Sequence, residues 1–85
     1  SKCTYYYMNG CTYCKKLDPT WKKVTQTYKG NVTLVKLERQ QAGTDLDRYS
    51  IQGFPTIILT DQEGNHKTYE GDRSTNDILK FINSV

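Results

Sequence analysis

The feature that most constrains the fold is a stripe of six apolar residues at helical spacing. Three or four positions separate each from the next: Cys11, Cys14, Leu17, Trp21, Val24 and Tyr28. Such a stripe predicts an amphipathic helix that begins at Cys11 and packs one face against a core. Pro19 lies inside the stripe, and because the pattern continues beyond it, we expect a kink rather than an end. Gly30 and Asn31 are expected to end the helix.

Four segments have the aromatic or β-branched content and the apolar patterning of strands: 3–8, 32–37, 56–60 and 66–70. The second of these is apolar at nearly every position, which is typical of a strand covered on both faces. Asn9 and Gly10 end the first strand. A polar turn over 61–65 joins the last two strands as an antiparallel hairpin.

Capping patterns predict two further helices. Thr44 with Asp47 three residues later indicates a short helix reaching Tyr49, and Ser74 with Asp77 begins the last helix. The apolar face of the last helix comprises Ile78, Phe81, Ile82 and Val85. The predicted order is β-α-β-α-β-β-α, an α/β fold with a four-stranded mixed sheet and flanking helices. Its first βαβ unit requires parallel strands.

The size and charge of the chain exclude several classes of protein. With 85 residues the chain forms a single domain, 1–85. The 12 basic and 9 acidic residues give a net charge of +3, and the basic residues are scattered, which does not indicate nucleic-acid binding. The longest aliphatic run is 57–59, too short to span a bilayer, and no secretory signal is visible. We expect a monomer that binds neither nucleic acid nor membrane.

Two cysteines lie where such a sheet concentrates its chemistry. The segment 9–14 follows the carboxyl end of a parallel strand, and it contains the pair Cys11-x-x-Cys14 at a helix start. The helix N-terminus favours a thiolate at Cys11, whereas Cys14 on the inward stripe is shielded. The pair therefore predicts thiol–disulfide exchange. Cys11 would attack a substrate disulfide, Cys14 would attack the Cys11 sulfur to release the substrate, and the reverse sequence would oxidise a dithiol.

Other interpretations of the cysteines remain open. A structural disulfide closing so short a loop would stabilise the fold by only about 2 kcal/mol. A zinc site would need four ligands, and Cys3, Cys11, Cys14 and His66 are the candidates. An extended first strand would place Cys3 too far from Cys11 for that. An iron–sulfur cluster held by Cys11 across a dimer is another alternative. We expect no metal and no cofactor beyond the redox-active disulfide Cys11–Cys14.

Four segments resemble thioredoxins and the catalytic domains of protein disulfide isomerases: 11–21, 35–38, 49–56 and 69–74. The resemblance implies a minimal thioredoxin-like fold that lacks the family's N-terminal strand and helix. It also implies a cis Phe54–Pro55 bond that faces the cysteines and leaves the Phe54 backbone free to pair with an extended substrate. The residues then expected to bind substrate are Gly10, Tyr13, Phe54, Pro55, Gly71 and Asp72.

The chain departs from the family pattern at several positions. Gly10 stands where these proteins usually have Trp, and Tyr5 stands where they place a buried acid that takes a proton from the second cysteine. Lys36, the usual partner of that acid, is present. We therefore expect Tyr5, Lys36 and Pro55 to tune the cysteines, with Tyr5, Lys36 or water accepting the proton of Cys14. The residues between the cysteines do not indicate the redox direction.

The same resemblance leaves two functions open. The first is an enzyme that exchanges disulfides with protein substrates and is recycled by an unidentified reductase or oxidase. The alternative is a redox-inactive domain whose groove near Phe54 and Pro55 holds a peptide. Because three cysteines cannot form a framework of several disulfides, a reducing, cytoplasmic location is expected.

Overall fold

Neighbouring tyrosines of the first strand are buried on opposite faces of a single sheet. In the computed structural model, which describes residues 1–84, that sheet has the order β2-β1-β3-β4. Its strands are β1 (Lys2–Tyr7), β2 (Thr33–Glu38), β3 (Thr56–Thr60) and β4 (His66–Thr68). The helices are α1 (Thr12–Thr27), α2 (Arg39–Ala42), α3 (Asp45–Arg48) and α4 (Thr75–Ile82). β1 is parallel to β2 and antiparallel to β3, which is antiparallel to β4. The predicted α/β fold with a four-stranded mixed sheet is confirmed.

The core has two layers because side chains alternate across the sheet. Tyr5 belongs to the larger layer, which α1 and α4 cover with Leu17, Trp21, Val24, Ile78 and Ile82. Tyr6 belongs to the smaller layer, together with Ile58 and residues of α2 and α3 such as Ala42 and Leu46. Both tyrosines are buried, so β1 is covered on both faces and fixes the helices relative to the sheet.

α1 confirms the helical stripe and refines its ends. Cys14, Leu17, Trp21 and Val24 are buried, and the helix continues through Pro19. The helix ends at Thr27 rather than at Gly30, since Tyr28 is extended and its hydroxyl accepts the Val32 N–H at 3.0 Å. That hydroxyl fills the space that a side chain at Gly30 would need.

The segment after β2 differs from the prediction. It contains two short helices, α2 and α3, where one was expected. The capping box is formed by Glu38 and Gln41, whereas Thr44 is itself helical in conformation and makes no side-chain cap, so the predicted Thr44 cap is wrong. The Ser74 hydroxyl does accept the Asp77 N–H at 3.2 Å, as predicted for the start of α4.

Three other details concern the ends of elements and the surface. β4 ends at Thr68, shorter than predicted, although the Tyr69 N–H still pairs with the Ile57 carbonyl at 2.8 Å. Val85, predicted on the apolar face of the last helix, lies outside the described residues. Within residues 1–84, no helix has both the length and the apolar character that a bilayer span needs.

Candidate active site

A tight turn between β1 and α1 positions the first cysteine. The Cys11 N–H donates to the Met8 carbonyl at 3.2 Å, and Gly10 has a φ of 81°. A positive φ at the third residue of a turn favours glycine, which has no Cβ to clash with the backbone. The Asn9 N–H also donates to the Glu38 carboxylate at 3.2 Å, so this turn is tied to the end of β2.

Cys11 is the N-cap of α1 and not its first helical residue. Its backbone is extended, with φ −81° and ψ 115°, and its sulfur accepts the Cys14 N–H at 3.2 Å. This is the capping position, where a side chain takes up one of the unpaired N–H groups of the first turn. The thiol is half-buried and lies 3.7 Å from the Phe54 carbonyl, to which it donates. An N–H donor aimed at the sulfur stabilises the negative charge that Cys11 carries when it is a thiolate, before it attacks or after it leaves.

Cys14 occupies a different environment one turn further along. It is only 2% exposed. Burial raises the pKa of Cys14 to about 11, hydrogen bonding to Cys11 adds to the rise, and the Met8 backbone and the Tyr5 hydroxyl oppose it. Both cysteines are free thiols. The structure thus brings together one accessible and one shielded sulfur, as the spacing predicted.

A polar cluster lies behind Cys14 in the larger core layer. The Tyr5 hydroxyl is 3.0 Å from the Cys14 carbonyl and donates to Asp18 Oδ1 at 2.8 Å. Lys36 Nζ lies 3.4 Å from the same Asp18 oxygen and 5.7 Å from the centre of the Tyr5 ring. Burial, and secondarily the hydrogen bond to Asp18, raise the pKa of Tyr5. Tyr5 therefore contacts Cys14, whereas Lys36 contacts Asp18 and the Tyr5 ring, and the tuning role expected for both stays a prediction.

The structure places the expected substrate-binding residues in two regions. The Phe54 carbonyl lies beside the Cys11 thiol, and the bond from Phe54 to Pro55 is cis. Tyr13 is 63% exposed in the first turn of α1, with Lys16 Nζ 5.6 Å from its ring centre. Gly71 and Asp72 lie in the exposed loop between β4 and α4. Their contact with substrate stays a prediction, as it does for Gly10.

The residues proposed for a zinc site are separated by the fold. Cys3 is fully buried in the larger core layer, and burial raises its pKa to about 12. His66 is exposed at the start of β4 and packs edge-on against Tyr49. Across residues 1–84, no group of three Cys, His, Asp or Glu side chains lies close enough to hold a metal ion. The zinc interpretation is therefore not supported.

Sequence reasoning did not assign a role to two residues of the site, Asp18 and Glu38. Asp18 follows Cys14 by four positions, so the two lie on neighbouring turns of one helix face. That spacing is a usable signal, although an apolar stripe by itself does not include a carboxylate. Glu38 holds the turn before Cys11 and also caps α2, where its carboxylate accepts the Gln40 N–H at 2.7 Å.

Comparison with known proteins identifies the family. The thioredoxin family matches residues 3–84. The chain is 34% identical over 82 residues to the human protein named protein disulfide-isomerase A4, covering 91% of this chain and 13% of that one. It is 33% identical over 79 residues to protein disulfide isomerase-like 1-1 of Arabidopsis thaliana, covering 91% of this chain and 16% of the relative. The chain thus spans about a sixth of the length of that curated relative.

Solved structures show the same fold. The first two thioredoxin domains of Naumovozyma dairenensis Eps1p superpose with a TM-score of 0.82 at 28% identity, over 95% of this chain and 33% of that one. The first thioredoxin domain of mouse protein disulfide-isomerase A4 superposes with a TM-score of 0.84 at 20% identity, over 96% of this chain and 60% of that one. With its Cys-x-x-Cys pair at the head of α1, the chain belongs to the thioredoxin family and has thiol–disulfide oxidoreductases of the protein disulfide-isomerase type among its relatives.

Proposed function

We propose that this domain exchanges disulfides with protein substrates through Cys11 and Cys14. The observation that carries the proposal is the hydrogen bond from the Cys14 N–H to the Cys11 sulfur at 3.2 Å. It holds a half-exposed sulfur next to a buried one at the start of a single helix. Nucleophilic attack needs access and intramolecular resolution needs proximity, and this arrangement supplies both.

The exchange proceeds in two steps. The Cys11 thiolate attacks one sulfur of a substrate disulfide, forming a Cys11–substrate disulfide and expelling the other substrate sulfur as a thiolate. Cys14 then loses its proton and attacks the Cys11 sulfur, forming the Cys11–Cys14 disulfide and releasing the second substrate sulfur. Two electrons have passed from the protein to the substrate, and an external dithiol or reductase returns them. The reverse sequence oxidises a substrate dithiol.

Phe54 supports a protein rather than a small molecule as substrate. Its carbonyl lies 3.7 Å from the Cys11 sulfur, so a backbone acceptor stands beside the reacting atom. An extended chain that carries the disulfide can hydrogen-bond to such a group while its sulfur meets Cys11. The partly exposed rim formed by Tyr13, Phe54 and Pro55 then contacts the residues next to the substrate cysteine.

Insulin reduction tests the proposal. The wild-type protein should accelerate precipitation of insulin chains in the presence of dithiothreitol. Cys11→Ser should abolish that acceleration, and Cys14→Ser should accumulate a mixed disulfide that a non-reducing gel separates. Cys3→Ala is the matched control, because Cys3 is buried in the core and takes no part in the steps above. Full turnover by Cys11→Ser would refute the proposal.

The equilibrium potential of the Cys11–Cys14 couple tests the direction and the cellular setting. We propose a reducing, cytoplasmic compartment, and a potential equal to that of the glutathione pool or below it would indicate a reductant there. A much higher potential would indicate an oxidant instead. A pair that exchanges with neither glutathione nor dithiothreitol would favour the alternative of a redox-inactive, peptide-binding domain.

A further inference from the structure

In the second exchange step Cys14 must lose its proton inside a buried site. Cys14 attacks as a thiolate, yet burial raises its pKa to about 11 and it is 2% exposed. Direct loss of the proton to water is therefore slow at neutral pH. A group within the fold that accepts the proton would accelerate this step without altering the attack by Cys11.

Tyr5 connects Cys14 to a carboxylate. Its hydroxyl donates to Asp18 Oδ1 at 2.8 Å and lies 3.0 Å from the Cys14 carbonyl, so the phenol oxygen is next to both the carboxylate and the residue that must lose its proton. The effect of Tyr5 on the Cys14 pKa, opposite to that of burial, reflects this closeness. Tyr5 cannot be the final acceptor, because its own pKa is raised and it stays protonated.

Asp18 has a route to solvent. Its side chain is 40% exposed, and it lines an open groove of about 710 Å³ between α1 and β2 together with Lys15, Lys22 and Lys36. Lys36 Nζ lies 3.4 Å from Asp18 Oδ1, the same oxygen that accepts from the Tyr5 hydroxyl. The carboxylate is thus near the buried thiol through one hydroxyl and near water on its other side.

We propose that Asp18, acting through the Tyr5 hydroxyl, receives the proton that Cys14 loses when it resolves the mixed disulfide. The Cys14 proton passes to the Tyr5 oxygen while the Tyr5 proton passes to the Asp18 carboxylate, and Asp18 then releases a proton to the groove. Tyr5 is unchanged at the end, Cys14 is a thiolate, and no oxidant or reductant is consumed. This inference rests on the proposed function, since it concerns that reaction's second step.

Apolar and basic side chains surround the cluster of Cys14, Tyr5, Asp18 and Lys36. α4 covers the cluster with the apolar residues Ile78 and Ile82. The titratable or charged side chains that face the cluster from the other elements are Cys11, Lys15, Lys22, Tyr5, Tyr7 and Lys36. Apart from the Cys11 thiol, these side chains are lysines and tyrosines, so among the described residues at the cluster Asp18 supplies the carboxylate that can act as a base.

Single-turnover kinetics with oxidised glutathione separates the two steps. Acid quenching and mass spectrometry follow a protein–glutathione mixed disulfide, whose formation depends on glutathione concentration and whose decay does not. In Asp18→Asn the decay should slow by about tenfold at pH 7, and the difference should shrink as rising pH lets hydroxide take the proton. The rate of mixed-disulfide formation should stay within about twofold, because Cys11 does not use the relay.

Two variants separate the relay from a structural role. Tyr5→Phe keeps the ring in the core and removes the hydroxyl, so it should slow the decay as Asp18→Asn does, and the double variant should be no slower. Asp45→Asn is the matched control, because Asp45 accepts from Tyr6 at 3.0 Å in the same kind of pair on the opposite face of the sheet. It should leave both steps unchanged.

The outcomes are distinguishable. An Asp18→Asn variant with the wild-type decay rate and pH profile would overturn this proposal and leave the exchange reaction standing. Equal slowing of formation and decay would also overturn it, since that result indicates a general disturbance of the site. Failure of the wild-type protein to form any mixed disulfide would overturn the exchange reaction and the relay together.

Discussion

The Cys14 N–H donates to the Cys11 sulfur at 3.2 Å, and this one bond joins the accessible half of the site to its buried half. The two sulfurs are three residues apart in sequence, yet one is half-exposed and the other is 2% exposed. The difference arises because Cys11 caps the helix from outside while Cys14 faces the sheet from within its first turn. The chemistry of the pair depends on this asymmetry.

Alkylation should therefore be selective. With a pKa of about 11, only about one Cys14 in ten thousand is ionised at pH 7, and its side chain is shielded from reagents. Limited treatment of the reduced protein with iodoacetamide should modify Cys11 well before Cys14 or Cys3. Fragment ions of the tryptic peptide 3–15, which contains all three cysteines, locate the modification. Equal modification of Cys11 and Cys14 would contradict the assigned roles.

Stability should fall in alkali, and Cys3 should account for part of the fall. Burial raises the pKa of Cys3 from 9.0 to about 12, so between these values the unfolded chain releases a proton that the folded protein retains. The contribution of the protonated Cys3 thiol to the free energy of unfolding is complete below pH 9. It is lost as the pH rises towards 12, at about 1.4 kcal/mol per pH unit.

Urea unfolding at pH 8 and pH 10 measures this effect. The free energy of unfolding of Cys3→Ala should fall less between the two pH values than that of the wild type, by about 1 kcal/mol. Cys14 and the buried tyrosines contribute to the fall in both proteins, so the difference isolates Cys3. Parallel pH curves for the two proteins would show that the Cys3 thiol ionises normally in the folded state.

The parts of the fold that the sequence predicted are those determined by periodic burial. α1 follows from its apolar stripe, since the same spacing that identifies the helix also selects the residues that face the sheet. Cys14, Leu17, Trp21 and Val24 are all buried, as the stripe requires. The positions of Cys11 and Cys14 in the site follow from the same pattern, because one begins the helix and the other lies one turn along the stripe.

The parts that the sequence did not predict depend on contacts between distant segments. The hydroxyl of Tyr5 donates to Asp18 only because α1 packs on β1 at one particular height, which no local pattern specifies. α2 is too short to show a period, and its cap is Glu38, a residue less usual at that position than Ser, Thr, Asp or Asn. The Thr44 prediction was wrong for the related reason that a capping pattern without a long helix behind it is weak.

A glycine should be required at position 10 because of its backbone conformation, and not because a side chain there would be crowded. Its φ is 81°, and a Cβ placed there would meet no atom within 4 Å. Gly10→Ala should lower the free energy of unfolding by about 1 to 2 kcal/mol, the cost of a left-handed conformation for an L-residue. Gly53→Ala is the matched control, since Gly53 has equally open space and no positive φ. Equal unfolding midpoints in urea for the two variants would contradict the strain argument.

Tyr13 should affect substrate use without affecting the fold. It is 63% exposed, so Tyr13→Ala should change the free energy of unfolding by less than about 0.5 kcal/mol. Because its ring lies in the turn that carries the cysteines, it offers apolar contact to the chain that flanks a substrate disulfide. Loss of that ring should lower kcat/KM for insulin by about tenfold, while the reaction with oxidised glutathione stays unchanged.

Tyr13→Phe should retain the wild-type kcat/KM, and Lys23→Ala, a change at an exposed position of the same helix, is the control. If Tyr13→Ala reduced insulin at the wild-type rate, Tyr13 would have no part in substrate binding.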